Sequence, residues 1–233
     1  MRFKIINAGK SQLDTNIKCL IYGDSGVGKS FLGVTAPKPL VLLTEPNGKA
    51  SIQHSNGKAD IIFIENASEL GEILKSLRDE PKLWSKYDTI IIDSLTEVQR
   101  LYRDHITNHG KQMMKGQDWQ RLSEYMRRFI RGVRTLPKNV VALALLEKTS
   151  EEDSDITAYK PAFDGKKTAN EISQFFNFVG YLYSGTITNK TETNTHRYLM
   201  LEGREGILCK TTYPLSGIIK DPNIADLIKQ INK

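Results

Sequence analysis

The chain has few cysteines and no long hydrophobic segment, and both absences exclude classes of protein. It contains two cysteines, Cys19 and Cys209, which lie far apart without a Cys-x-x-Cys spacing or a histidine cluster. Neither a disulfide framework nor a zinc site is therefore expected. No apolar run approaches the roughly 18 to 20 residues of a membrane-spanning helix, and residues 1–10 lack the apolar stretch of a secretory signal. We expect a cytoplasmic protein that has no membrane partner.

The composition is that of a globular chain with an excess of positive charge. Hydrophobic residues make up 39% of the sequence, which is enough for one sizeable core, and no repeat or low-complexity linker divides the chain. We therefore expect a single domain over residues 1–233. The formal net charge of +6 is compatible with a polyanionic partner. Charge alone decides little, since many basic proteins bind no nucleic acid.

Short, continuous apolar runs alternate with helical patterns up to residue 146. The runs predict buried strands at 17–22, 40–43, 61–64, 89–92 and 140–146. Helical patterns follow residue 29 and cover 69–78, 95–107 and 118–135. Strands that are apolar throughout are typical of a parallel sheet with helices on both faces. The sequence therefore predicts an α/β fold with a mainly parallel, twisted sheet flanked by helices.

The pattern changes after residue 175. Shorter strand patterns lie at 178–183, 197–201 and 207–210, separated by turn residues, and a helical pattern covers 223–231. Pro222 suits the first turn of this last helix. We expect antiparallel strands that extend the edge of the sheet, followed by a closing helix. Residues 1–16 form a short N-terminal segment ahead of the first strand.

A glycine-rich motif between the first predicted strand and the next helix carries the most specific chemistry. Residues 23–30 match G-x-x-x-x-G-K-[ST] at every fixed position. Such a phosphate loop directs backbone N–H groups at a phosphate, while its lysine reaches the β/γ oxygens and its hydroxyl coordinates Mg²⁺. The predicted nucleotide-binding residues are Gly23, Asp24, Ser25, Gly26, Val27, Gly28, Lys29, Ser30 and Phe31. We expect ATP and Mg²⁺ as the ligands.

Two carboxylates follow predicted strands of the same sheet. Asp93 comes directly after the run 89–92, where a carboxylate can hold a water of the metal that Ser30 coordinates. Asp93 could instead cap the helix that begins near residue 95, and the two roles are compatible. Glu45 follows the run 40–43, where it could take a proton from the water that attacks the γ-phosphate. The alternative for Glu45 is an ordinary loop carboxylate.

The position of Glu45 distinguishes families of ATPases. An AAA+ protein carries its glutamate directly after the Walker B aspartate, whereas Ser94 follows Asp93 here. With a glutamate at the end of the strand after the phosphate-loop helix, the chain resembles the RecA-like ATPases. The short helix followed by residues 36–40 is more specifically similar to the minimal RecA-like nucleotide-binding proteins of bacteriophages, some of which are single-strand annealing recombinases. The resemblance covers nearly the whole chain, and only the phosphate loop is a specific motif.

The resemblance implies a RecA-like P-loop NTPase fold and two loops that face DNA. They correspond to segments 108–117 and 148–168, and the second is expected to be disordered. Cations together with aromatic side chains suit single strands, whereas the acidic residues between 151 and 155 would oppose phosphate. The candidate DNA-binding residues are Lys111, Lys115, Lys160, Phe163, Lys166 and Lys167.

The resemblance also assigns roles to two further residues. Glu147 occupies the place of a glutamine that senses the γ-phosphate, although a carboxylate cannot donate the same hydrogen bond. Lys210 resembles a basic residue that reaches the γ-phosphate of a neighbouring subunit and stabilises the transition state; a solvated lysine is the alternative. The catalytic residues implied are thus Lys29, Glu45 and Lys210.

The function implied is a slow, DNA-stimulated ATPase of phage DNA recombination that anneals or pairs single strands. Its partners would be single-stranded DNA, a single-strand-binding protein and further copies of the chain, with ATP at the junctions between subunits. If a phage encodes the protein, it would act in the host cytoplasm. Two alternatives stay open. One is a hexameric helicase or translocase core, and the other is an accessory or loading factor for replication that acts mainly through a protein partner.

Overall fold

Ten strands of the described residues form a mixed sheet at the centre of the protein. The computed structural model describes residues 16–45, 48–55, 59–150, 156–165, 167–188 and 193–232, so the N-terminal segment 1–15 lies outside the described residues. The strands are β1 (Lys18–Gly23), β2 (Pro39–Leu43), β3 (Asp60–Phe63), β4 (Thr89–Asp93), β5 (Asn139–Ser150), β6 (Thr157–Pro161), β7 (Phe178–Thr188), β8 (Thr193–Met200), β9 (Lys210–Thr211) and β10 (Ile218–Lys220). Their order is β10-β8-β7-β1-β5-β4-β2-β3, with β6 beside β5 and β9 beside β7.

The helices cover both faces of this sheet. They are α1 (Lys29–Gly33), α2 (Gly48–Gln53), α3 (Ala67–Asp79), α4 (Leu95–Ile106), α5 (Gly116–Arg134), α6 (Thr168–Ser173) and α7 (Ile224–Ile231). Leu20 and Tyr22 of β1 pack under α3 to α6, on what we term the α5 face. Cys19 and Ile21 pack with α1, α2 and α7 on the opposite α1 face. Every residue of β1, β2 and β4 is buried because both faces are covered, which confirms the predicted parallel core.

The C-terminal strands extend the sheet as expected, with one correction. β8 is antiparallel to β7, and β10 is antiparallel to β8. β7 itself pairs parallel with β1, so the prediction of an antiparallel strand was wrong at this position. The crossover through α6 returns the chain to the edge of the sheet where β1 begins, and Lys18 N donates to Asn177 Oδ1 at 3.2 Å to fix the register.

The expectation of a disordered loop over 148–168 was also wrong for the residues that the structure describes. β5 continues to Ser150 and forms an antiparallel ribbon with β6. After β6, Asp164 is held by α4: Gln99 exchanges two hydrogen bonds with its backbone, and Arg103 lies 2.8 Å from its carboxylate. Only residues 151–155 and Lys166 of this segment lie outside the described residues.

Within the described ranges, every helix is too short or too polar to cross a membrane.

Candidate functional site

A cleft of about 410 Å³ opens where β1, β2 and β4 end. This volume falls within the usual range for small-molecule pockets, and the carboxyl ends of parallel strands are where open α/β sheets bind ligands. The lining residues are Ser25, Gly26, Gly28, Lys29, Ser30, Phe31, Glu45, Gly48, Ser51, Asp93, Ser94, Leu145 and Arg197. The structure therefore brings the phosphate loop, Glu45 and Asp93 together, as the sequence predicted.

The backbone of the loop depends on glycine at two positions. A Cβ at Gly23 would lie 2.3 Å from the carbonyl oxygen of Leu182 in the adjacent strand β7. Gly28 has φ +98°, in the left-handed region that other residues rarely adopt, and its carbonyl accepts the first helical hydrogen bond of α1 from Leu32 N at 2.9 Å. The close approach and the positive φ explain why the loop turns sharply into α1.

Lys29 holds the loop closed with its ammonium group. The side chain is 8% exposed, and Nζ donates to the carbonyl oxygens of Gly23 at 2.9 Å and Asp24 at 2.8 Å. Burial lowers the pKa of Lys29, against the opposing effect of the nearby carboxylates, foremost Asp93. The ammonium is thus placed inside the cleft, where phosphate oxygens can replace the two carbonyls as its acceptors.

Asp93 presents an open ligand position. The residue is 8% exposed, and its Oδ2 has no hydrogen-bond partner in the part of the chain that the structure describes. Desolvation raises the pKa of Asp93, while a hydrogen bond from Ser30 and the charge of Lys29 act in the opposite direction. A carboxylate oxygen and a hydroxyl are ligands that Mg²⁺ accepts, so Asp93 and Ser30 fit the metal that a nucleotide would bring.

Glu45 is positioned by hydrogen bonds between the ends of β2 and β4. Thr44 N donates to Asp93 O at 2.8 Å, and Ser94 N donates to Thr44 Oγ1 at 3.0 Å. Ser94 Oγ then donates to Glu45 Oε1 at 3.2 Å, which holds the carboxylate at the cleft wall. Ser94 also caps α4 by accepting from Glu97 N at 3.3 Å, so the cap that the sequence offered to Asp93 belongs to its neighbour.

Arg197 of β8 is a cleft residue that the sequence analysis missed. Its Nε donates to the carbonyl oxygen of Val27 at 3.1 Å, and its guanidinium lies 4.9 Å from the ring centroid of Phe31. Asp221 fixes the backbone of Arg197 with two hydrogen bonds. The Asp221 carboxylate accepts from Arg197 N at 3.1 Å, and Asp221 N donates to Arg197 O at 2.7 Å. Arg197 thus supplies a second cation beside the loop, and the only sequence signal was an arginine inside a predicted strand.

Glu147 and Lys210 do not line this cleft. Glu147 pairs with Lys160 across the β5–β6 ribbon at 3.3 Å and lines a neighbouring cleft instead. Lys210 lies opposite Val179 in the sheet. Burial lowers the pKa of Lys210, and the charge of Arg134 lowers it further. The sensor role of Glu147 and the action of Lys210 on a neighbouring subunit stay predictions.

The candidate DNA-binding residues differ in their exposure. Lys111, Lys115 and Lys167 are exposed, whereas Lys160 is half-buried in its pair with Glu147. Phe163 is 7% exposed and packs in the core on the α5 face, so the expectation that its ring is free to stack on a base needs correction. Lys166 lies outside the described residues.

Comparison with known families agrees with this geometry. A family model described as an AAA domain matches residues 15–213, which is most of the chain. The matched region includes every residue that lines the cleft. Among curated proteins, none matches the chain.

Proposed function

We propose that this chain, which belongs to the AAA domain family of P-loop ATPases, is a RecA-like, DNA-dependent ATPase of phage DNA recombination. In this proposal it binds ATP with Mg²⁺, assembles on single-stranded DNA and promotes annealing or strand pairing. The observation that carries the proposal is the place of Glu45. Its carboxylate lies in the cleft with Lys29, Ser30 and Asp93, while Ser94 occupies the position directly after Asp93.

The described side chains divide the chemistry of hydrolysis between them. Lys29 transfers its hydrogen bonds from the loop carbonyls to phosphate oxygens and neutralises charge that develops there. Glu45 orients the attacking water and accepts its proton, while Ser94 holds the carboxylate in place. Ser30 and Asp93 would hold a bound Mg²⁺, which would supply positive charge against the phosphates. Arg197 lies beside the loop, where it can add positive charge to the phosphates.

Two observations support a polyanionic partner and self-assembly. The chain carries a net charge of +6, and Lys111, Lys115 and Lys167 are exposed cations that can neutralise DNA phosphates. Lys210 lies outside the cleft of its own chain, so any action on ATP requires a neighbouring subunit. We therefore include filaments or rings, with ATP at subunit junctions, in the proposal, and a single-strand-binding protein as a further partner.

The test compares ATPase rates with and without single-stranded DNA at two salt concentrations. We expect DNA to stimulate a salt-sensitive activity that Glu45→Gln abolishes while a fluorescent ATP analogue still binds. The matched control is Glu65→Gln, because Glu65 follows the neighbouring strand β3 and does not line the cleft. A rate that DNA leaves unchanged would refute the DNA-dependent reading and favour an accessory factor acting through a protein. Unwinding of a forked duplex would favour a helicase.

A further inference from the structure

A row of tyrosine rings crosses the α5 face of the sheet from β1 through β7 to β8. The rings of Tyr22, Tyr181, Tyr183 and Tyr198 follow one another with centroid separations of 5.3, 5.4 and 5.4 Å, and neighbouring planes differ by less than 30°. Tyr159 of β6 joins the row at 5.7 Å from Tyr181. These five residues, here called the tyrosine row, thus link four strands.

The outer part of the row lies on a partly exposed sheet face. Tyr22 is buried under α3 to α6, but the core cluster of those helices contains no residue of β8 or β10 in the part of the chain that is described. Tyr181, Tyr183 and Tyr198 are all partly exposed. Ile218 of β10 lies on the same face and is 40% exposed. The outer rings are therefore accessible to a partner.

Among the described side chains of β7, β8 and β10 on this face, the charged residue is a cation, Lys220. Side chains at alternate positions of a strand share a face, and the register places Lys220 directly across from Tyr198. No described side chain on this face of β7, β8 or β10 is Asp or Glu. At the other end of the row, Lys148 Nζ lies 5.8 Å from the ring centroid of Tyr159. Cations therefore flank the aromatic surface on both sides.

Two of the described acidic residues, Asp24 and Asp221, lie near the ends of the row and have partners of their own. Asp24 accepts from Lys148 at 3.3 Å, and Asp221, which follows β10, lies 2.7 Å from His196 Nδ1 and accepts from Arg197 N. A two-fold contact between copies of the chain would bring Lys220 of each copy near the same face of the other, where no carboxylate on β7, β8 or β10 compensates it. This charge pattern favours a polyanion over a second copy.

We propose that the tyrosine row is a binding surface for single-stranded nucleic acid, on which bases stack while Lys220 and Lys148 contact phosphates. Sheet faces with aromatic residues bind unpaired bases in this way, and a positively charged surface holds the backbone. The inference rests on the proposed DNA-dependent function and gives it a site that includes Lys148 and Tyr159 of segment 148–168 and no residue of segment 108–117.

The row reaches the phosphate loop at three points. Tyr22 directly precedes Gly23, the first residue of the loop. Lys148 joins the ring of Tyr159 to Asp24 of the loop. Tyr198 directly follows Arg197, whose Nε binds the carbonyl oxygen of Val27. A strand seated on the row would therefore act on residues that hold the loop, which provides a physical route for DNA to stimulate ATPase activity.

The test measures binding of fluorescein-labelled oligo-dT of about 16 nucleotides, near the upper end of single-strand site sizes, by anisotropy. Tyr183→Ala and Tyr198→Ala are each expected to weaken binding at least about fivefold, the lower end of what one stacked base contributes. Tyr198→Phe keeps the ring and should bind like the wild type. Lys220→Ala should reduce the slope of log affinity against log salt by about one. An abasic oligonucleotide of equal length should bind weakly to every variant.

Controls separate this inference from the proposed function. Thermal unfolding and binding of an ATP analogue verify that each tyrosine variant is folded. If the tyrosine variants bind oligo-dT normally and Lys111→Ala with Lys115→Ala weakens binding, DNA lies on segment 108–117 and the inference is overturned while the proposed function stands. If the tyrosine variants alter only the sedimentation of the protein, the row is a subunit contact and the inference fails. If the wild type neither binds DNA nor responds to it, both fail.

Discussion

Replacing Asp93 with asparagine is expected to stabilise the nucleotide-free protein and to abolish its ATPase activity. Asp93 Oδ2 is buried without a hydrogen-bond partner among the described residues, and burial raises the pKa of the carboxyl group. A buried acceptor left unpaired costs about 1–3 kcal/mol. Asparagine keeps the shape and still leaves one polar atom unpaired, but it removes the buried charge, so we expect it to recover about 1–2 kcal/mol. For a chain of this size, that gain raises Tm by roughly 2–8 °C.

The stability of the wild type should also depend on pH through Asp93. Because the pKa of Asp93 is higher in the folded than in the unfolded state, the folded protein binds more protons between the two values. The wild type therefore gains stability as the pH falls through the folded-state pKa, and Asp93→Asn lacks this gain. Asp60 is the opposite case, since hydrogen bonds from Lys86 and Tyr87 lower its pKa. Asp60 therefore contributes to the free energy of unfolding at pH values above its unfolded-state pKa, and this contribution is lost as the pH falls through its folded-state pKa.

Urea unfolding measures the free energy of unfolding of the wild type and of Asp93→Asn, without nucleotide and with Mg²⁺ and ATP. Ligand at about 100 times its Kd should stabilise the wild type by about 2.7 kcal/mol and should stabilise Asp93→Asn far less, because the variant has lost a metal ligand. The matched control, Asp60→Asn, should not stabilise the protein. If Asp93→Asn is less stable than the wild type at neutral pH without nucleotide, the reasoning from the unpaired oxygen is refuted.

Three further substitutions test other parts of the structure. Gly28→Ala should weaken ATP binding, measured by calorimetry, at least about tenfold. The left-handed φ costs alanine about 1–2 kcal/mol, and the new Cβ would lie 2.3 Å from Arg197 Nε. An unchanged affinity for ATP would contradict the loop geometry. Arg197→Ala should lower ATP affinity about tenfold because a charge-assisted hydrogen bond is lost, and Arg197→Lys should recover part of that affinity. If Arg197→Ala and the wild type bind ATP with equal affinity, the arginine only packs on Phe31. Phe163→Ala should destabilise the fold by about 3–5 kcal/mol in urea, and a small loss would show that the ring is not in the core.

The parts of the site that lie in local sequence patterns could be predicted. The phosphate loop, Glu45 and Asp93 each follow a buried apolar run, and parallel strands bring such positions to one edge of the sheet. Arg197 could not be found in this way, because its partner Val27 lies 170 positions away and the contact exists only after β7 and β8 have joined β1.

Two errors concern segment 148–168, where tertiary contacts decide the structure. The resemblance implied a disordered loop there, yet the backbone groups of 148–150 and 157–161 are paired in the β5–β6 ribbon. Phe163 was assigned to a DNA surface by its type, although α4 fixes its neighbour Asp164 and the ring itself packs in the core. The short elements α2, α6 and β10 have too few residues for a periodic pattern to show.

The alternation of side chains along β8 places Arg197 and Tyr198 on opposite faces of the sheet, one peptide bond apart. A displacement of this strand that alters one side chain's environment also alters the other's. If ATP changes the affinity of the tyrosine row for a partner by some factor, thermodynamic linkage requires the partner to change the affinity for ATP by the same factor. The same coupling free energy must emerge whichever of the two ligands is titrated first.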